Sequence, residues 1–210
     1  MNLLEITALT ALRAACIAVL AGIVGLILAR RVRRCSPPAL RGVFALAALA
    51  YFTPAMLAGY GWLPTVVKWP ANSVQREFFY GVMLLVRFVP VATLALWLAH
   101  AGPSAAARHV GKLTGASNWR WWLRESGAAP LLGTAIVFLL AFQEFDLATS
   151  WGIRSWTVTL FDSQIGGLAL NESLRLALLP LGVELAVILP LLFSLKRRTQ
   201  GPPMERDMPR

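Results

Sequence analysis

The sequence predicts an all-α integral membrane protein with five transmembrane helices. Three observations carry that expectation. The chain of 210 residues is 57% hydrophobic and 14% charged, against about 45–50% and about 25% in soluble domains. Its mean hydropathy is +0.62. The apolar residues also gather into runs of about 20, the length a helix needs to cross about 30 Å of hydrocarbon. In lipid the backbone must satisfy its own hydrogen bonds, so such runs become helices.

The first span is expected over residues 7–29. The N-terminal "MNLLEITALTALRAAC" lacks a basic leader region, so it reads as a retained helix rather than a cleaved signal. The second covers 43–62 and carries Pro54. The third covers 78–99 and carries Arg87 and Pro90. The fourth covers 126–148 and ends in "AFQEFDLATS". The fifth covers 173–195 and carries Pro180, Glu184 and Pro190. Proline frees a backbone carbonyl and kinks a helix, a feature of transporters and of membrane proteins generally. Residues 1–197 form one membrane domain, and the polar tail 198–210 is expected to be disordered. The segment 150–170 is amphipathic, with Trp151 and Trp156 suited to an interface. It fits an interfacial helix, though its β-branched residues leave its conformation open.

Charge placement orients the chain. Of the 20 Lys and Arg residues, 14 fall in alternate connections: Arg30, Arg31, Arg33, Arg34 and Arg41; Arg108, Lys112, Arg120 and Arg124; and five in the C-terminal tail. The opposite loops hold Lys68, Arg76 and Arg154. The positive-inside bias then places the N-terminus outside and the C-terminus in the cytoplasm. A net charge of +10 would point to nucleic acid in a soluble chain. Here the clusters are tethered to a bilayer, so no nucleic-acid partner is expected, and "RRVRR" serves topology or anionic lipid contact. Cys16 and Cys35, His100 and His109 have no metal-ligand spacing, and neither a metal site nor a cofactor is expected in this chain.

Ionisable groups at membrane depth are costly and mark candidate sites. Arg87 and Glu184 are expected at similar depth, where an ion pair would offset part of their desolvation. Such a pair either holds two helices together or lines a polar path through the membrane. Glu144 and Asp146 lie near the end of the fourth span. They line a cavity mouth, meet a cation, or sit solvated at a helix end. Two acids are also a minimal acid/base pair, but no nucleophile or phosphate loop accompanies them, so a catalytic role is a lesser alternative.

The loop at about 101–125 contains "HVGKLTGASNWRWWLRE". Gly115, Ala116 and Ser117 make a helix-turn-helix break. Trp119, Trp122 and Leu123 then share one helical face, fit for a membrane surface or a partner's groove.

Around Gly115, this stretch resembles the cytoplasmic loop of permease subunits of binding-protein-dependent ABC importers. The following "LLAFQEFDLATSWGIRSWTVTLFDSQIGG" is similar to the ferric-iron and thiamine branch, with Glu144–Phe145 in the place of an acid–Phe pair. His109, Val110 and Gly111 stand where that family has Glu-Ala-Ala, and Gly127 and Ala128 where it has Leu-Pro. The resemblance implies a type I importer permease core in a bacterial inner membrane, with a coupling turn at Gly115, Ala116 and Ser117. Trp119 and Arg120 would contact the ATPase. Arg87, Glu144, Asp146 and Glu184 remain pathway or gate candidates, on burial alone. The implied partners are a cytoplasmic ATP-binding subunit, a second permease copy or relative, and an outer solute-binding protein. The implied solute is small and polar, with ferric iron first and thiamine or an oxyanion next. The alternatives are a non-transporting membrane scaffold or regulatory subunit, and an intramembrane enzyme.

Overall fold

A computed structural model describes residues 2–32, 35–71, 73–99 and 129–199. Among the described residues every regular element is helical: α1 Leu3–Val32, α2 Pro37–Phe52, α3 Ala55–Val66, α4 Val74–Ala99, α5 Ala129–Phe142, α6 Asp146–Ser150, α7 Trp156–Ile165 and α8 Leu170–Thr199. Three of them are long and apolar enough to cross a membrane, or four spans if the bent pair α2–α3 counts as one.

The core is a three-helix packing of α1, α4 and α5. Arg13 of α1 meets Glu77 early in α4, and Gly25 of α1 lies against Ala92 near the far end of α4. These two helices therefore run parallel. Gly133, early in α5, packs on Leu96 late in α4, while Glu144 just beyond α5 reaches Tyr80 early in α4, so α5 is antiparallel to both. Small residues let these helices approach closely. A Cβ on Gly25 would lie 2.8 Å from the Ala92 Cβ and 3.0 Å from the Thr93 backbone nitrogen. One on Gly22 would lie 2.4 Å from the Thr134 methyl carbon.

Parallel α1 and α4 require the chain to return between them, and α2–α3 is that return. Phe44 of α2 makes an edge contact with Trp97. Trp62 of α3 makes one with Phe79, near the other end of α4. The traverse is bent by 75°, where the sequence predicts one span over 43–62. Pro54 explains the break. It pushes the preceding residue out of the helical region, and Thr53 has φ −61° and ψ 121°.

The fourth expected span also stops early. α5 ends at Phe142, and a short α6 begins at Asp146 after a three-residue break. Here the Glu144 carboxylate accepts hydrogen bonds from the backbone N–H groups of Leu147 and Ala148. That local capture starts a new helix. Ser155 then caps α7 through the Val158 N–H, so the amphipathic segment is helical over Trp156–Ile165. The first, third and fifth expected spans lie within α1, α4 and α8, each of which extends a few residues further.

α8 packs on α7, α1 and α5 but leaves a long apolar face open. Leu174, Leu178, Leu181, Leu185, Leu189 and Phe193 are all exposed. An apolar face of that length fits a hydrocarbon environment rather than water.

Candidate functional site

Two helix breaks, at 53–54 and at 143–145, lie against the same stretch of α4. Leu147 of α6 lines a cavity together with Thr53, Ala55 and Arg87. α3 and α6 pack together, with Ser150 against Gly59.

At the second break Glu144 is buried, at 7% exposure. Its carboxylate accepts from the Tyr80 hydroxyl at 3.0 Å, from the Leu147 N–H at 2.7 Å and from the Ala148 N–H at 3.1 Å. Its backbone carbonyl accepts from the Thr157 hydroxyl at 3.1 Å. The Trp156 indole N–H donates to the Phe142 carbonyl at 2.8 Å, which satisfies one orphan at the end of α5. A buried carboxylate held by three donors has the compensation that burial requires.

The network continues toward the start of α4. Arg13 stands over the Tyr80 ring, 5.5 Å from its centroid, pairs with Glu77 at 2.8 Å and donates to the Arg154 carbonyl at 3.1 Å. Arg76 ties the end of α3, the turn after it and the end of α6 together, donating to the carbonyls of Val66, Trp69 and Trp151. Trp151 is buried, stacks on Phe79 and donates its indole N–H to the Gly59 carbonyl at 2.9 Å. This end of the bundle is thus closed by polar contacts.

The first break is different. Arg87 lines a cavity of about 190 Å³ with Thr53, Ala55, Ala58, Met83 and Leu147. Its Nε is buried and has no hydrogen-bond partner. Its guanidinium is 5.8 Å from the centroid of the neighbouring Phe88 ring.

The expected Arg87–Glu184 ion pair is not formed. The Glu184 carboxylate instead accepts from the Gln143 amide at 2.9 Å. Gln143 sits at the break itself, where the end of α5 presents its amide to α8, so a neutral donor takes the place foreseen for Arg87. Arg87 instead lines the cavity at the first break, with Thr53, Ala55 and Leu147. Asp146 opens α6, where a carboxylate favours the positive end of the helix.

Gly115, Ala116, Ser117, Trp119 and Arg120, with His109, lie outside the described residues. So do the tail residues 200–210. Among the described residues no group of three or more His, Cys, Asp or Glu comes together to hold a metal.

Arg13, Arg76, Tyr80 and Gln143 were not singled out from sequence. Arg13 carried a readable signal, since a cation six residues inside an expected span needs a partner. Tyr80 and Gln143 had none, because an uncharged polar residue in an apolar run is unremarkable until its partner is known.

These elements define a class: an all-α membrane protein in which two broken helices meet beside an intramembrane arginine and a buried glutamate. No family model matches the chain, and no curated protein matches it.

Proposed function

We propose that the chain is the permease subunit of an ATP-driven importer for a small polar solute. The observation that carries this reading is the meeting of two interrupted helices beside Arg87 and Glu144. Transporters build solute sites from discontinuous helices, whose free backbone ends and charged neighbours face a cavity. The resemblance of the Gly115 loop to ABC importer permeases is the second support. On this reading the chain makes five spans, with α5 the core of the fourth, the N-terminus outside and the C-terminus cytoplasmic. The membrane is a bacterial inner membrane. The partners are a cytoplasmic ATP-binding subunit, a second permease subunit and an outer solute-binding protein. ATP is hydrolysed in the partner, and this chain performs no covalent chemistry. Ferric iron, thiamine and an oxyanion are the candidate solutes.

The test is purification of the tagged chain from its native membrane in mild detergent. An ATP-hydrolysing subunit should co-elute with it, and Gly115→Trp should release that subunit while leaving the permease folded. A chain that brings down no ATPase, or one whose association ignores Gly115→Trp, overturns the reading. A cysteine at position 2 should react with an impermeant reagent from outside the cell. Protection there would reverse the topology.

A further inference from the structure

A groove of about 700 Å³ runs between α1 and α4, and it shares no lining residue with the cavity beside Arg87. It follows α1 from Leu9 to Leu20 and α4 from Val74 to Leu85, eleven residue steps on each. At a rise of about 1.5 Å per residue that is about 16 Å, one half of a hydrocarbon core about 30 Å thick. The walls are apolar, with Leu20 and Phe78 exposed along them. Gly81 keeps the groove open, since a Cβ there would meet nothing within 4 Å. The charges are confined to one end. Arg13, Glu77 and Arg154 line the groove toward the starts of α1 and α4, and beyond that level the lining is uncharged as far as Leu20 and Leu85. The Arg13–Glu77 pair at 2.8 Å and the Arg13 bond to the Arg154 carbonyl fix this end in place. Two arginines and one carboxylate make it net positive.

We propose that this groove holds one acyl chain of an anionic glycerophospholipid. The phosphate lies at the Arg13–Glu77–Arg154 end, and the chain runs past Cys16 and Gly81 toward Leu20 and Leu85. Length, polarity and charge agree on this occupant. The groove is one leaflet deep, apolar along its length and cationic at one end, as a single lipid requires. Arginines near a membrane surface attract anionic headgroups. The competing occupant is a helix of a second copy. A helix is about 10–12 Å across with its side chains, so a 16 Å length fills about 1,300–1,800 Å³, about twice what the groove offers. It would lie over the opening and leave the space at Gly81 empty. The inference rests on a bilayer around α1 and α4 and not on the permease reading. With the N-terminus outside, the lipid belongs to the outer leaflet.

The test uses the full purified chain in detergent, without any ATPase, so its failure is distinct from that of the co-purification above. Phosphatidylglycerol with a photoreactive group in one acyl chain is added, and the crosslinked residues are mapped by peptide mass spectrometry. Adducts should fall on α1 between Cys16 and Leu20 and on α4 between Gly81 and Leu85. Unlabelled phosphatidylglycerol should compete about fivefold better than phosphatidylcholine, the factor one arginine near a headgroup contributes. Arg154→Gln should remove that preference while the adducts remain. Gly81→Leu, whose Cβ meets no neighbour, should fill the groove and remove the adducts. Arg154→Gln is the decisive variant if Gly81→Leu does not fold. Equal competition by the two lipids, a preference unchanged in Arg154→Gln, adducts outside the groove, or adducts that persist in a folded Gly81→Leu overturn the proposal. So does a disulfide between the exposed Cys16 residues of two copies, formed by oxidising the Cys35→Ser chain in its native membrane, because a second copy then covers the groove.

Discussion

The two helix breaks solve the same problem in opposite ways. Each interrupts an apolar helical run and so frees backbone groups that an apolar surrounding cannot satisfy. At residues 143–145 the chain closes its own account. Glu144 takes two N–H groups and the Tyr80 hydroxyl, Trp156 takes the Phe142 carbonyl, and Thr157 takes the Glu144 carbonyl. At residues 53–54 no side chain caps α3, and the nearby cation Arg87 keeps a buried nitrogen without a partner. Identical local chemistry would have given two structural joints. The difference assigns one break to holding the fold and leaves the other without that side-chain closure.

That comparison is broken most directly at Glu144. Glu144→Ala removes the acceptor for three buried donors, and each orphaned donor costs about 1–3 kcal/mol. The expected loss is on the order of 4 kcal/mol, read as a large drop in unfolding midpoint in detergent. A loss near zero would mean that this break is as open as the other. Next is the packing that brings the helices together. Gly25→Val places side-chain atoms where even a Cβ would be 3.0 Å from the Thr93 backbone nitrogen. Backbone does not yield cheaply, so overpacking should cost about 2 kcal/mol. Smaller again is Tyr80→Phe. It withdraws one of the three donors to Glu144 and keeps the ring near Trp151 and Arg13, for a loss of about 1 kcal/mol.

The sequence made part of this legible for a physical reason. Hydropathy integrates over about 20 residues, so long uninterrupted runs such as α1, α4 and α8 stand out. The same averaging hides interruptions. Residues 126–148 remain apolar on average even though Glu144 ends one helix and starts another within a few residues. Pro54 marked only a kink within an expected span, although the clash of its ring with the preceding residue is what breaks the helix at Thr53. The candidate site was half visible. Charge at depth flagged Arg87, Glu144 and Glu184, yet the partnership it implied was wrong. Pairing depends on which helices face each other, and Gln143 is uncharged. Tyr80 and Trp151 entered the site through contacts 64 and 92 residues away in sequence, beyond the reach of any local pattern.

The smallest expected effect sharpens the comparison most. Arg87→Met keeps a long, flexible side chain in the cavity wall and removes the charge. The unpartnered buried nitrogen disappears, which relieves a desolvation cost. Exchanging a poorly compensated buried charge for an apolar side chain of similar length is often neutral or stabilising. In chloride alone, the unfolding midpoint of Arg87→Met should therefore correspond to a change within about 0.5 kcal/mol of wild type, far from that of Glu144→Ala. If Arg87→Met is instead destabilised in chloride as severely as Glu144→Ala, Arg87 is a structural closure like its counterpart, and the two breaks are alike.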